Sequence, residues 1–254
     1  MTNSASALLV FAKAPQPDAV KTRLAGFITA EEASAVYAAF LDDAAAQFSE
    51  LECDVRYYVA PLVSKGQSLL ESKGQSLQEL PVESAHRSAQ KSAARALPMP
   101  PDAVLLGQVG DDLGARMLGA FSDSFAAGYR HVVIVGTDHP TLPTAYVTRA
   151  FDQLSASSRI VIGPSDDGGY YLLGMNRLYP VLFEGMTYSH PDVFSRTMER
   201  AAAVAADVTV LPRWFDVDTP ESLIRLWREV GEFPDRAPAT HVVLSRLAER
   251  YGWS

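Results

Sequence analysis

The chain has 254 residues, 48% hydrophobic and 20% charged, a balance that suits an ordinary globular protein and excludes wholesale disorder and collagen-like or coiled-coil architecture. Twenty-two Lys and Arg against thirty Asp and Glu leave a formal charge of -8, which repels a polyanion and argues against nucleic acid as a partner, while a small phosphorylated ligand needs only a few local cations. The single cysteine, Cys53, rules out an internal disulfide and a thiolate metal cage, and with an N-terminal apolar run too short for a signal core or a membrane span it points to a cytoplasmic chain without membrane association.

Short apolar, β-branched runs alternate with stretches of helical period, the pattern of parallel strands joined by crossover helices. The first strand is expected over 7–12. A helix then opens at Thr29, where Glu32 completes a capping-box spacing, and its stripe of Ala33, Val36, Tyr37, Phe40, Ala44 and Phe48 faces the sheet. Strands over 54–60 and 103–106 follow, then a helix over 113–127 closed by Gly128. The run His-Val-Val-Ile-Val-Gly at 131–136 suits a strand covered on both faces and therefore a central place in the sheet. Next come a helix over 144–154 after Pro143, strands over 159–163, 170–175 and 208–211, a helix over 220–230, and a C-terminal helix within 239–251.

Between 61 and 101 the hexapeptide Ser-Lys-Gly-Gln-Ser-Leu occurs at 64–69 and again at 72–77. A repeat that short is no solenoid, and the stretch reads as a local duplication in a surface insertion that carries no chemistry. The whole of 1–254 is read as one decorated domain.

In open parallel sheets ligands bind beyond the carboxyl ends of the strands, so polar residues that follow a strand are the ones to weigh. The loop after the first strand carries Lys13, Lys21 and Arg23, which suit a phosphate cradle, although a solvated loop rich in Lys is the commoner case. Asp138, in Gly136-Thr-Asp-His-Pro140, stands where a carboxylate can hold a hard cation or simply cap the next turn. Asp216 and Asp218 lie two apart before a helix with a Thr cap and an N1 proline; in an extended segment both face one way and can meet one metal, Mg²⁺ or Mn²⁺, although one can instead brace the helix start. In Pro164-Ser-Asp-Asp-Gly-Gly-Tyr-Tyr171, Gly168 and Gly169 allow close backbone approach to a ligand on which Tyr170 or Tyr171 can stack, or else the segment is a tight turn between strands. His139 and His190 have no zinc-spaced partner and read as structural, and Ser189-His190 lacks the context of a nucleophile elbow, so a hydrolase triad is set aside.

Taken in order, these motifs resemble a bacterial family of nucleotide-diphospho-sugar transferase-like proteins, DUF2064-type glycosyltransferases also described as radical-SAM/selenodomain-associated transferases. The resemblance runs from about 8 to 228 and rests on Phe-Ala-Lys-Ala-Pro at 11–15, Val-Lys-Thr-Arg-Leu at 20–24, Gln-Val-Gly-Asp-Asp-Leu-Gly-Ala-Arg-Met at 108–117, Gly-Thr-Asp-His-Pro at 136–140, Gly-Pro-Ser-Asp-Asp-Gly-Gly-Tyr-Tyr at 163–171 and Asp-Val-Asp-Thr-Pro at 216–220. It implies a three-layer, Rossmann-like GT-A fold, an α/β architecture with a mostly parallel mixed sheet flanked by helices. It further implies phosphate binding by Lys13, Lys21 and Arg23, metal binding by Asp138, Asp216 and Asp218, catalytic duty for Asp138, Asp167 and Asp218, and an acceptor side at Gly168, Gly169 and Tyr170. Gln108, Asp112 and Arg116 match a motif of no derivable role. The chain departs from the family at Asp18, where glycine is usual, at His139 in place of cysteine, and at Ser222 in place of an acid.

The same carboxylates and cations can stabilise departure of a phosphate in glycosyl or in nucleotidyl transfer. The acceptor loop and the family's customary description favour glycosyl transfer from a nucleotide-sugar to a small-molecule acceptor. Pro140 stands where an Asp-x-Asp signature would place its second acid, which favours nucleotidyl transfer from CTP or GTP with release of pyrophosphate. A non-catalytic nucleotide-binding protein is the third reading, and the intact set of acids and bases argues against it.

Overall fold

The computed structural model describes residues 5–60, 97–155 and 159–253, so the expected insertion, apart from 97–101, and both copies of its hexapeptide lie outside the described residues. Seven strands, β1 (Ser6–Ala12), β2 (Asp54–Val59), β3 (Val104–Gly107), β4 (His131–Val135), β5 (Arg159–Pro164), β6 (Tyr170–Met175) and β7 (Asp207–Val210), form one sheet in the order β3-β2-β1-β4-β6-β5-β7. β4 takes the middle of that order, as its unbroken apolar run implies. All neighbours pair in parallel except β6, which runs against both β4 and β5. The link from β5 to β6 is a short turn, too short for the crossover a parallel pair needs, and it brings the start of β6 to the same edge as the end of β4.

Helices α1 (Ala30–Phe48), α2 (Leu113–Ala126), α3 (Thr144–Leu154), α4 (Val193–Ala203), α5 (Pro220–Glu232) and α6 (Pro238–Tyr251) cover the two faces of the sheet. The alternation of a strand decides which side chain meets which layer. Leu8, Val10, Val133 and Val135 point to the core shared with α1, α3, α5 and α6, while Ala7, Leu9, Val132 and Ile134 point to the core shared with α2 and α4. The result is a three-layer, Rossmann-like α/β fold with a mostly parallel mixed sheet.

Local chemistry starts the helices where it should. Thr29 and Glu32 exchange both bonds of the capping box, Asp112 accepts from the Ala115 amide at 2.8 Å, and Thr219 caps α5, with Ser222 closing the box in place of an acid. α6 has no side-chain cap of its own; Asp43 of α1 accepts from the Ala239 and Thr240 amides, each at 2.9 Å, and satisfies them from outside the helix. The sequence pattern does not announce α4, because it buries only the narrow stripe Val193, Thr197 and Ala201, of which one is polar and one small. Among the described residues no helix is long and apolar enough to cross a membrane.

Candidate active site

A cavity of about 480 Å³ opens over the carboxyl ends of β1 and β4, the place where parallel sheets bind ligands. The loop after β1 turns back into it at Lys21, whose backbone is left-handed (φ 49°, ψ 36°) and leads into a short 3-10 turn, Thr22–Leu24. The flanking Val20 and Leu24 are buried and hold the turn down. The Lys21 side chain is only 2% exposed; its Nζ donates to Asp138 and, at 3.0 Å, to Asp218 Oδ1, above the rings of Tyr37 and Phe40 at 5.6 and 5.3 Å. Asp138 comes from the end of β4 and Asp218 from the approach to α5, and the Val217 amide donating to the Asp138 carbonyl at 2.9 Å ties the two segments together.

Burial pushes the Lys21 amine down, but the charges of Asp138 and then Asp218 outweigh it and leave the amine above its ordinary value. Burial likewise pushes the Asp138 carboxyl up, and the neighbouring Lys21 charge more than reverses this, so the carboxyl sits below its usual range and the pair stays ionised. Burial pushes the Tyr37 phenol up to about 12, so it remains a neutral hydrogen-bonding group; it accepts from the Lys13 amide at 3.0 Å and shares a 2.7 Å bond with the Thr137 hydroxyl.

Several sequence-derived candidates behave differently from the rest. Asp216 and Asp218 do not face one partner: Ser165 donates to Asp216 Oδ2, and His139 Nδ1 stands 2.7 Å from Oδ1, though off the line of a hydrogen bond, while Asp218 goes to Lys21. The segment is irregular rather than an extended strand, pinned at Val217 and capped at Thr219, so the two-residue alternation does not apply. Arg23 is exposed on the 3-10 turn and is not among the residues that line the cavity, whereas Lys13 lines its mouth. Gly168 also stays out of the cavity; at φ 90° a Cβ there would run into the backbone of Pro191, so this glycine allows the hairpin to close on the 187–191 loop. Asp167, Gly169 and Tyr170 do reach the cavity, with Asp167 Oδ1 accepting from the Gly169 amide at 2.8 Å.

The motif at 108–117 forms the opposite lip. Gln108 Nε2 donates to the Tyr58 carbonyl at 2.9 Å and ties the end of β3 to β2; Arg116 Nε donates to the Gly110 carbonyl at 2.9 Å; Asp112 caps α2. Gly110, at φ 136°, lies where a Cβ would meet Ala115 and the Arg116 amide, and Gly114 leaves room for Tyr188. Tyr188, which no sequence pattern singles out, lines the cavity with its hydroxyl buried beside Tyr170, and burial pushes its phenol up to about 12. Tyr37 was legible only as one member of a core stripe. Among the described residues no group of three or more His, Cys, Asp or Glu side chains is gathered for a metal ion.

The family model described as "Uncharacterized protein conserved in bacteria (DUF2064)" matches residues 72–190. Over those residues the chain is similar to that family. The match takes in Asp138, Asp167 and Tyr170, while Lys21 and Asp218 lie on either side of it. The chain is also 29% identical to a Desulfovibrio desulfuricans G20 protein, whose assignment as a nucleotide-diphospho-sugar transferase is provisional; the likeness covers 97% of this chain and 96% of that one, with a TM-score of 0.79. A cytidylyltransferase from Leptospira borgpetersenii is 11% identical over 98% of this chain and 96% of its own, with a TM-score of 0.48. A Mycobacterium tuberculosis H37Rv protein in complex with manganese is 16% identical over 88% of this chain and 98% of its own, with a TM-score of 0.40. Likenesses as distant as these last two carry no argument about this chain. No curated protein matches it.

Proposed function

We propose that this chain is a cytoplasmic nucleotide-dependent transferase that binds a nucleotide-diphosphate donor over the ends of β1 and β4 and transfers a glycosyl group to a small-molecule acceptor. The observation that carries this reading is the convergence of Lys21, Asp138 and Asp218, from three distant segments, on the floor of one cavity with Lys13 at its mouth. Lys13 and Lys21 offer positive charge to phosphate oxygens. Asp138 and Asp218 are half-buried, both turn to Lys21, and together they are the carboxylates that would hold a hard cation. Two carboxylates fit Mg²⁺ or Mn²⁺, which characteristically complete their shells with water and substrate phosphates rather than with an all-protein cage. Such an ion would neutralise the charge that develops on the leaving phosphate. Asp167, beside Gly169 and Tyr170, stands on the acceptor side as the base for an acceptor hydroxyl. Asp216, braced by Ser165 and His139, holds the approach to Asp218 in place. The likeness to the Desulfovibrio protein supports the donor class.

Nucleotidyl transfer is the second reading, favoured by one observation: with Pro140 at the second position of the strand-end motif, the partner carboxylate of Asp138 comes from the distant Asp218. A thermal-shift panel separates the two. With Mn²⁺ or Mg²⁺, a UDP-, GDP- or dTDP-sugar is expected to raise the melting temperature by mass action, and Asp138→Ala to abolish the metal-dependent part of that shift. Stabilisation by CTP or GTP with pyrophosphate released on turnover selects the second reading. No shift with any nucleotide and either metal overturns both, and an unchanged metal response in Asp138→Ala removes Asp138 from the site.

A further inference from the structure

The point at which the carboxylates of Asp138 and Asp218 meet is already taken by a cation, the Lys21 ammonium. We infer that Lys21 is an exchangeable internal counter-ion: it holds the two carboxylates in the resting site, and it gives them up to a divalent cation and turns to the donor's phosphates when metal and nucleotide arrive together. This rests on the reading of the cavity as a nucleotide site and adds a rule for how that site loads.

The exchange follows from what surrounds Lys21. An ammonium and a divalent cation repel and cannot share one pair of oxygens, so Lys21 has to leave before both carboxylates can ligate. Asp216 also lines the cavity, but its carboxylate accepts from Ser165 and lies beside His139, and among the described residues no group of three or more His, Cys, Asp or Glu side chains is gathered to hold the metal elsewhere. Lys21 cannot retreat into the protein either. Its backbone is held by buried Val20 and Leu24, and the rings of Tyr37 and Phe40 lie beneath its ammonium, so the flexible side chain has the cavity as its way out. A displaced ammonium left unpaired at this half-dry floor is unfavourable, and a phosphate is the anion that removes the penalty. Metal alone therefore binds against Lys21, and nucleotide alone meets a cation already engaged. Each ligand lifts the obstacle to the other, which makes the coupling positive and reciprocal.

Two measurements with the metal alone test the exchange, and neither depends on identifying the nucleotide. Free Mn²⁺ followed by electron paramagnetic resonance should show Lys21→Met binding the ion about tenfold or more tightly than the wild type, since the carboxylates have lost their internal competitor. Mass spectrometry after brief acylation of the wild-type protein should show Lys21 protected without metal and labelled severalfold more at saturating Mn²⁺. The second measurement stands if Lys21→Met fails to fold. Equal or weaker Mn²⁺ binding by a folded Lys21→Met protein, or Lys21 labelling that saturating Mn²⁺ leaves unchanged, overturns the exchange. Failure of the transferase reading shows separately, as the absence of any nucleotide shift in the melting panel.

Discussion

Lys21 occupies a backbone conformation that non-glycine residues adopt rarely, and the residue three before it, Asp18, does the same at φ 61°, at the position where the resembling family carries glycine. Each such residue costs on the order of 1–3 kcal/mol and persists only where its surroundings over-determine it. For Lys21 the surroundings are the two carboxylates and the buried neighbours on either side. Tyr37 is the other residue on which the loop depends, since its hydroxyl accepts the Lys13 amide just past the end of β1 and holds Thr137 one residue before Asp138. Tyr37→Phe removes the acceptor of the part-buried Lys13 amide and the buried bond to the Thr137 hydroxyl, and the expected loss is about 1–3 kcal/mol, read as a drop of several degrees in melting temperature. If Tyr37 served only as packing, the drop would be negligible.

The β5–β6 hairpin and the 187–191 loop meet at Gly168, whose missing side chain is the condition for their contact: the Phe194 amide donates to the Gly168 carbonyl at 2.9 Å, and a methyl group would overlap the Pro191 backbone. Gly168→Ala is expected to combine a strained φ with displacement of that loop, costing about 2 kcal/mol or more and lowering the melting temperature while leaving the Lys21 site intact. Selective loss of acceptor-dependent turnover in this variant, with donor binding retained, would place the acceptor at this end of the cavity. Side-chain caps that spacing can reveal mark the starts of α1 and α5. α6 shows the opposite case, since its first amides are satisfied by Asp43, a residue of another helix that local sequence cannot point to.

At the scale of the whole molecule the Lys21–Asp138 ion pair adds a pH dependence to stability. Asp138 titrates below its ordinary 3.8 in the folded chain, so its contribution is complete above 3.8 and is lost as the pH falls through the lowered value. Lys21 titrates above its ordinary 10.5, so its contribution is complete below 10.5 and is lost as the pH rises through the raised value; Tyr37, shifted from 10.0 to about 12, adds a second alkaline loss across that interval. As far as these groups act, the melting temperature should be level from about pH 5 to about pH 9 and fall on both sides. In Lys21→Met the Asp138 carboxyl loses the charge that holds it below its usual range and takes up a proton more readily, so acidification from neutral pH should raise the melting temperature relative to wild type. Parallel acid limbs for the two proteins would show that the pair contributes nothing to stability.

The order of the strands and of the helices other than α4, the central place of β4, and the positions of Lys13, Lys21, Asp138 and Asp218 beyond strand ends were decided by the amino-acid pattern itself, because periodicity, caps and strand-end chemistry are local properties of the chain. Only the tertiary structure decided that Asp216 turns to Ser165 and His139, that Arg23 stays on the surface, that Tyr188 lines the cavity and that Lys21 stands between Asp138 and Asp218. Those outcomes depend on contacts between segments far apart along the chain. Spacing shows that a carboxylate is present at a strand end; the packing of the other layers determines which charge it meets there.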